Sequence, residues 1–370
     1  LTSATKRGNR SVMSLRPRAR IHLSNIAENW RTLKALQGSG ATGAVIKADG
    51  YGHGLREVGE ALHDAGCDHF FVAHGFEGEV ARRALGPNPI IYVLNGPSAY
   101  EEALYRKYAL TPVINSDVQF QALVTWVQTG GKLRKGYALK FDTGMNRLGI
   151  PAGDAPTLAE AVKGMEPSLI LSHLACSEDA ENGMNEVQAA QFEGICAQFS
   201  DIPTSLANSG GVFLGDGFAS ALSRPGIALF GGGHPSEDVP LKPGMTLEAP
   251  ILQTRAIEAG ETVGYGATYR ASEPRLLATV AIGYGDGFLR SASNRGFAAI
   301  DGNRCPIVGR VSMDLITIDV TSVPTLARPG VYAQFIGLDA PLEEQAALAG
   351  TIGYELTTGL LPRVTRIYED

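Results

Sequence analysis

Residues 44–54 read AVIKADGYGHG, a short apolar run that leads to Lys47 and then to glycines at positions 50, 52 and 54. A lysine at the end of a buried strand has its stem removed from water, which lowers the pKa of its amine and makes it a usable nucleophile. The glycines allow the backbone to turn tightly beside a planar ligand. The segment therefore indicates Schiff-base chemistry at Lys47, with a purely structural turn as the alternative.

Around this segment, short apolar runs alternate with amphipathic stretches from about residue 40 to residue 235. The runs that predict strands are 43–47, 69–74, 90–94, 111–114, 137–141, 168–174, 204–207 and 226–230. Helical spacing of apolar residues is found at 25–36, 55–65, 77–85, 100–108, 118–128, 158–164 and 186–199. Eight buried strands separated by helices predict a parallel β/α barrel. An open doubly wound sheet is the alternative, but no GxGxxG turn follows the first strand.

After about residue 240 the pattern changes to short strands separated by Gly, Pro, Asp and Asn. The predicted strands are 250–257, 276–283, 297–300, 305–311, 315–320 and 331–336, with a helix only at 342–350. Asp301 and Gly302 form a predicted tight hairpin turn. We therefore predict two domains: a barrel over residues 1–240, including an N-terminal lead-in segment, and a mainly antiparallel β domain over residues 241–370.

Composition limits the class of protein and its partners. The chain has 370 residues, of which 44% are hydrophobic and 19% charged, as in soluble globular proteins. The net charge of −6 argues against nucleic acid or an anionic membrane as a partner, because both favour a basic face. The four cysteines form no CxxC pair and have no metal-ligand spacing, so free thiols and no metal are predicted. No leader pattern and no apolar run of about 20 residues is present, and a cytoplasmic location is predicted.

Polar residues collect at the ends of the predicted strands, where β/α barrels carry their chemistry. They are Lys47, the segment 142–147, His173, Asn208, Ser209 and Arg224. Buried polar groups cost free energy unless they are paired, and a ligand in the mouth of the barrel would pair them. The sequence therefore predicts a ligand site at this end of the barrel.

The segment AVIKADGYGHG closely resembles the cofactor-lysine segment of the alanine racemases, which are pyridoxal-phosphate (PLP) enzymes of fold type III. Further matches follow in the same order across both predicted domains. They are KFDTGMNRLGI (140–150), LSHLACSED (171–179), ANS (207–209), RPGIALFG (224–231), VGYGATYRA (263–271), IGYGDGFLR (282–290), VGRVSMD (308–314) and GYEL (353–356). The resemblance implies an isomerase that interconverts L-alanine and D-alanine.

By this resemblance, Lys47 carries PLP and acts on the α-proton of the D-enantiomer. Tyr265, contributed by the partner subunit of a homodimer, acts on the L-enantiomer. A racemase removes a proton from one face of the α-carbon and returns one to the other, so two groups must flank it. His173 and Arg224 match residues that link Tyr265 to the cofactor ring, and Arg224 faces the ring nitrogen. Because arginine holds its proton, that nitrogen should stay unprotonated.

The resemblance also assigns the remaining site residues. The phosphate is held by Tyr51, Ser209, the backbone of Gly226 and Ile227, and Tyr354, with Asn208 beside this group. Arg147 and the backbone of the partner's Met313 bind the substrate carboxylate, and Lys140 matches a position that is often carbamylated. The supporting residues of the entry channel are Tyr284, Arg290, Arg310 and Asp314.

Several alternatives stay open from the sequence. A broad-specificity amino-acid racemase would use the same machinery with a different substrate pocket. A related PLP decarboxylase would not need the tyrosine of VGYGATY, and a PLP-carrier protein without turnover would not need the second domain. Segments 72–81, 206–215 and 231–235 match the family loosely, so the breadth of the substrate range and a biosynthetic or catabolic role are left open.

Overall fold

The computed structural model describes residues 15–233 and 238–370. These residues form two compact units. The barrel unit comprises Arg20–Met245 with Ile352–Gly359 and Tyr368–Asp370, and the β unit comprises Thr246–Thr351 with Leu360–Ile367 and the described residues up to Ala19. The predicted lead-in falls largely on residues 1–14, outside the described chain, as do residues 234 and 235 of the loosely matched segment 231–235. The domain limits 1–240 and 241–370 stay a prediction, because compactness does not test which segments fold independently.

The first part of the chain alternates short strands with longer helices. Its strands are β1 (Arg18–His22), β2 (Ala41–Thr42), β3 (Ala44–Val45), β4 (His69–Val72), β5 (Ile90–Val93), β6 (Thr111–Ile114), β7 (Ala138–Asp142), β8 (Ile150–Pro151), β9 (Leu169–Leu171), β10 (Thr204–Ser205) and β11 (Leu222–Ser223). Its helices are α1 (Leu23–Gln37), α2 (Lys47–Tyr51), α3 (Leu55–Asp64), α4 (Gly75–Leu85), α5 (Glu102–Lys107), α6 (Asp117–Gly130), α7 (Ala155–Ala161) and α8 (Met184–Cys196).

The strands of the barrel unit form a closed parallel ring. Neighbouring strands pair in the order β3, β4, β5, β6, β7, β9 and β10. The eighth strand, β11, pairs in parallel with β2, which is separated from β3 by Gly43 alone. The Arg224 N–H donates to the Ala207 carbonyl over 2.8 Å, which joins the end of β11 to that of β10. The predicted α/β barrel is confirmed.

One predicted strand of the barrel is wrong. Residues 226–230 were expected to form the last strand, but Ile227–Phe230 is a short 3-10 helix and Leu222–Ser223 is the strand. Pro225 cannot donate a ladder hydrogen bond, so the strand ends before it. The apolar helix is fully buried, and the Asn29 side chain of α1 donates to the Leu229 carbonyl over 3.0 Å. A short apolar run does not distinguish a buried strand from a buried helix.

The β unit is mainly antiparallel, as predicted. Its strands are β12 (Met245–Ile257), β13 (Thr262–Val263), β14 (Tyr269–Arg270), β15 (Arg275–Val280), β16 (Phe297–Ile300), β17 (Asn303–Pro306), β18 (Ile316–Asp319) and β19 (Tyr332–Ile336), and its helix is α9 (Leu342–Ala349). Strand β12 pairs with both β15 and β19. Asp301 and Gly302 have φ of 50° and 74° between β16 and β17, which confirms the tight hairpin turn.

Other differences lie near the C-terminus of the chain. Of the predicted strand 305–311, only residues 305 and 306 belong to a strand, β17. Ile307 forms an isolated β-bridge with Ile318. Helix α10 (Gly353–Thr358), which was not predicted, returns the chain to the barrel unit before β20 (Thr365–Glu369). Within the described residues, no helix combines the length and the apolar character that crossing a membrane requires.

Helix α10 packs its backbone against the glycine turn that follows Lys47, and this contact generates a prediction. Gly52 has φ of 82°, and a Cβ at this position would overlap the Thr357 carbonyl oxygen. Gly86 has a similar φ of 73° with open space around it. We expect Gly52→Ala to destabilise the protein by about 1–3 kcal/mol more than Gly86→Ala, because overpacking adds to the backbone strain that both share. Thermal unfolding of the two variants checks this, and equal melting temperatures would contradict it.

Candidate active site

A cavity of about 1020 Å³ opens at the carboxyl ends of the barrel strands. Most of the predicted site residues of the barrel unit line it together. They are Lys47, Tyr51, Lys140, Arg147, His173, Asn208, Ser209, Arg224, Gly226 and Tyr354. The cavity is large enough for a cofactor and a small substrate.

The segment that carries Lys47 has an uncommon backbone conformation. The predicted strand ends at Val45, two residues earlier than expected, and Ala48, Asp49, Gly50 and Tyr51 then have φ between 52° and 60°. Left-handed helical geometry costs about 1–2 kcal/mol for each residue with a side chain. Local hydrogen bonds offset part of this cost, including one from the Leu55 N–H to Asp49 Oδ1 over 2.9 Å. The turn sets the direction in which Lys47 leaves the sheet.

Glu77 is a site-associated residue that the sequence analysis did not single out. Its buried carboxylate accepts the Ala48 N–H over 2.7 Å on Oε1, and the Ala73 and His74 N–H groups over 2.7 and 2.9 Å on Oε2. The spacing from His74 to Glu77 is that of a helix capping box, and this pattern could have identified Glu77 from the sequence. The carboxylate thus joins the turn after Lys47 to the start of α4.

Positive charge is concentrated in the cavity. Burial, and next the charge of Arg147, lower the pKa of Lys47, while the Glu77 carboxylate opposes that shift. Burial lowers the pKa of Lys140 to about 8, and the charges of Arg224 and Arg147 add to the effect. Burial and the same cations hold the pKa of His173 well below its usual value. An anionic ligand would be attracted to this cavity, and its lysines are disposed to lose their protons.

Three hydrogen bonds hold the Arg224 guanidinium in place. Its Nη1 donates to Ser205 Oγ over 2.5 Å, and its Nη2 donates to the carbonyl oxygens of Ser172 and Leu206 over 2.5 and 3.3 Å. Within the described residues its Nε–H makes no hydrogen bond, so this donor is available to the cavity. Burial lowers the pKa of Arg224 to about 10, which still leaves the guanidinium protonated at neutral pH.

A tight corner of small and hydroxyl-bearing residues lies on another side of the cavity. Ser209 Oγ accepts the Gly226 N–H over 2.8 Å, and a Cβ on Gly226 would overlap the Tyr51 hydroxyl. The Tyr354 hydroxyl donates to Glu178 over 3.1 Å, and its ring centroid lies 6.0 Å from that of Tyr51. The corner has the hydroxyl and amide donors that bind a phosphate.

Two predicted residues next to this corner have different surroundings. Ile227 is buried and does not line the cavity, although its N–H, the first of the 3-10 helix, has no acceptor within that helix. Asn208 lines the cavity, but its Oδ1 accepts from Ser177 Oγ and the Gly211 N–H over 2.7 and 3.0 Å. Asn208 therefore stabilises the surrounding loops through hydrogen bonds to protein groups.

Arg147 is positioned by an acidic residue at the end of β7. Asp142 accepts the N–H groups of Gly144, Asn146 and Arg147 over 2.7, 3.1 and 3.2 Å. These bonds fold the loop 142–147 so that the exposed Arg147 side chain borders the cavity.

The predicted site residues that belong to the β unit are not among the cavity-lining residues. The exposed fractions of Tyr265 and Met313 are 71% and 53%. The remaining residues are also exposed: Tyr284, Arg290, Arg310 and Asp314. Asp314 forms an ion pair with Arg363, in which Oδ1 and Nη1 are 2.8 Å apart. In the described part of the chain, no group of three or more His, Cys, Asp or Glu residues is arranged to hold a metal ion.

Comparisons with known proteins agree over nearly the whole chain. The family model of the alanine racemase N-terminal domain matches residues 21–234, and that of the C-terminal domain matches residues 244–368. The alanine racemase of Methylobacterium nodulans is 44% identical over 357 residues, which are 95% of this chain and 95% of that protein. The catabolic alanine racemase of Agrobacterium fabrum is 41% identical over 94% of this chain and 91% of its own length.

Solved structures show the same similarity. A crystal structure of the alanine racemase from Bartonella henselae, with covalently bound pyridoxal phosphate, superimposes with a TM-score of 0.91 at 37% identity. The match covers 96% of this chain and 100% of that chain. The fold, the two matched family models and the level of identity lead to one conclusion. The chain belongs to the alanine racemase family.

Proposed function

We propose that the protein is an alanine racemase that interconverts L-alanine and D-alanine with PLP as its cofactor. The observation that carries the proposal is the position of the partly buried Lys47 amine in a cavity that also contains Arg224 and the hydroxyl corner. An amine nucleophile, a partner for the ring nitrogen and donors for a phosphate are the three features that a site for this cofactor combines.

The residues present fit the cofactor. Lys47 would hold it covalently, and Tyr51, Ser209, Tyr354 and the backbone N–H groups of Gly226 and Ile227 would surround its phosphate. Asn208 supports this corner through its bonds to neighbouring loops. The overlap that any side chain at Gly226 would produce with Tyr51 explains why a glycine is needed there. When bound, PLP supplies the electron withdrawal that makes the α-proton of the amino acid acidic.

Arg224 determines how strongly that withdrawal acts. Its two Nη atoms are occupied by Ser205, Ser172 and Leu206, and Nε is the donor left for a ring nitrogen. Because the guanidinium keeps its proton, withdrawal by the ring is moderate and return of the proton to the α-carbon is favoured. His173, beside Arg224 and with a lowered pKa, is the neutral link that we propose between this arginine and Tyr265.

The proton transfers require one group on each face of the α-carbon. The lowered pKa of Lys47 suits it to take the α-proton of D-alanine and to return one to the same face. We assign the opposite face to Tyr265 of a second copy of this chain. Arg147, together with the backbone of Met313 from that copy, binds the substrate carboxylate and fixes which face meets which base.

Exposed apolar side chains of the β unit support a homodimer with shared active sites. Tyr265, Met313, Tyr284 and Leu315 are 71%, 53%, 41% and 40% exposed. Large exposed apolar groups are typical of association surfaces. We propose that a second copy buries Tyr265 and Met313 at its cavity, and that Tyr284, Arg290, Arg310 and Asp314 border the path of the substrate. With free cysteines only, a cytoplasmic location is also proposed.

The substrate range gives the first test. We expect rapid racemisation of L-alanine, slow racemisation of L-serine, and none of L-lysine or L-arginine, in each case only when PLP is present. Chiral analysis of the product with PLP added and withheld measures this. Comparable rates on all four amino acids would replace the proposal with a broad-specificity racemase, and PLP binding without turnover would replace it with a carrier.

Complementation between inactive variants tests the shared site. We expect Tyr265→Phe to slow exchange of the L-alanine α-proton by about 10²–10⁴-fold, because a general base is lost, while borohydride reduction still fixes the cofactor on Lys47. An equal mixture of refolded Tyr265→Phe and Lys47→Ala subunits should recover about one quarter of the wild-type activity, since half of the dimers then contain one intact site.

The control for this experiment is Tyr269→Phe, which removes a phenol from the neighbouring strand β14 and should leave the exchange unchanged. No recovery in a mixture that mass spectrometry shows to contain mixed dimers would refute a site shared between subunits.

Carbamylation of Lys140 is testable through its pH dependence. Only the neutral amine reacts with CO₂, and a pKa of about 8 leaves about one tenth of Lys140 neutral at pH 7 and about nine tenths at pH 9. The charges of Arg224 and Arg147, which lower this pKa, would stabilise a negative carbamate. At constant dissolved ¹³CO₂, the carbamate NMR signal should therefore grow several-fold from pH 7 to pH 9. Lys140→Arg should remove it and Lys163→Arg should not; a signal that survives Lys140→Arg assigns the modification elsewhere.

A further inference from the structure

Glu77 is a buried acid outside the cavity that interacts with three backbone donors. Only 7% of its surface is exposed, and its carboxylate accepts the N–H groups of Ala48, Ala73 and His74. Ala73 itself lines the cavity, whereas Glu77 does not. Its carboxylate therefore acts on the cavity through the backbone that it holds and through its charge.

The bond to Ala48 fixes the peptide that directly follows Lys47. Ala48 is the first residue of the left-handed turn, and its φ is 52°. Strained backbone persists only where its surroundings over-determine it. Asp49 restrains the far end of the turn through its bond to the Leu55 N–H, and Glu77 restrains the end next to Lys47. Loss of the Glu77 acceptor would release the end of the turn that positions the Lys47 amine.

The charge of Glu77 has a second effect. The charged and titratable groups that line the cavity with Lys47 are Arg147, Lys140, Arg224, His173, Glu178, Tyr51 and Tyr354, whereas Glu77 lies outside it. Burial and next the charge of Arg147 lower the pKa of Lys47, and the negative charge of Glu77 opposes that shift. A buried negative charge close to an amine favours its protonated form.

We propose that Glu77 is a positioning residue for Lys47, whose carboxylate locks the left-handed turn and balances the cations around the amine so that Lys47 can deliver as well as remove a proton. The inference rests on the proposed function of Lys47 as a proton-transfer residue. It adds a residue that does not line the cavity.

A carboxylate suits this position better than an amide. Three N–H groups converge on two oxygens, one on Oε1 and two on Oε2. In Glu77→Gln the amide NH₂ would have to point at one or two of these donors, which leaves at least one of the three N–H groups without an acceptor. Glu77→Asp keeps both oxygens and the charge but shortens the side chain by one methylene.

Hydrogen exchange of the holoenzyme tests the lock without reference to activity. In Glu77→Gln, amides of residues 47–53 should exchange at least about 10-fold faster than in the wild type, while peptides of the β unit are unchanged. Glu77→Asp should be intermediate. The matched control is Glu79→Gln, since Glu79 lies on the same helix but is bonded to Arg83 and Tyr108 instead. Wild-type exchange of residues 47–53 in Glu77→Gln would overturn the proposal.

Kinetics separate positioning from general damage. Misplacement of a reacting group costs up to about 10²-fold in rate, so Glu77→Gln should lower kcat by about 10- to 100-fold with little change in KM. Loss of the negative charge should also move to lower pH the acidic limb of the kcat profile, which reports the Lys47 amine in the substrate complex. A limb that moves to higher pH, towards the value of an ordinary lysine, would mean that the site has opened to water, and would refute the charge-balancing role.

Different results would refute the proposed function and this inference. If borohydride reduction of wild-type holoenzyme does not fix the cofactor on Lys47, the role of Lys47 is wrong whatever the exchange data show. If the cofactor is fixed on Lys47 but exchange at residues 47–53 does not depend on Glu77, only the inference is wrong. Should Glu77→Gln fail to fold, Glu77→Asp gives the same comparison with a smaller expected effect.

Discussion

The accumulation of positive charge in one partly buried cavity is the constraint on which the rest of the site depends. Lys47, Lys140, Arg147 and Arg224 all line the cavity. Burial lowers the pKa of both lysines, and the charges of the neighbouring arginines add to the shift. An anionic cofactor and an anionic substrate carboxylate relieve the repulsion among these cations. The same field that attracts the ligands also leaves the lysine amines ready to lose protons.

Carboxylates outside the cavity fix the backbone that carries these cations. Glu77 accepts the N–H that follows Lys47, and Asp142 accepts the N–H groups of the loop that ends at Arg147. In both cases the acid holds a segment with non-glycine residues at positive φ, Ala48 in one and Asn146 in the other. These two cations are thus positioned through peptide groups, which leaves their own side chains available to ligands.

The predicted site residues of the two units differ in kind. The barrel unit provides the cavity, its cations and the hydroxyl corner, because parallel strands bring their carboxyl ends to one edge. The β unit presents exposed Tyr265 in a short 3-10 helix between β13 and β14, and exposed Met313 in the segment between β17 and β18. In the proposed homodimer, residues of this second kind, which are accessible in one chain, would become buried on association.

The sequence by itself determined the alternation of strands and helices, the hairpin at Asp301 and Gly302, and the residues that converge at the barrel mouth. These follow from local periodicity, turn chemistry and a motif whose spacing is fixed along the chain. Tertiary structure alone decided that the eighth strand is Leu222–Ser223, that α10 returns to the barrel unit, and that Glu77 serves the turn at Lys47. The reason is that burial of a short apolar run and the partner of a buried carboxylate depend on residues distant in sequence, and local patterns do not contain that information.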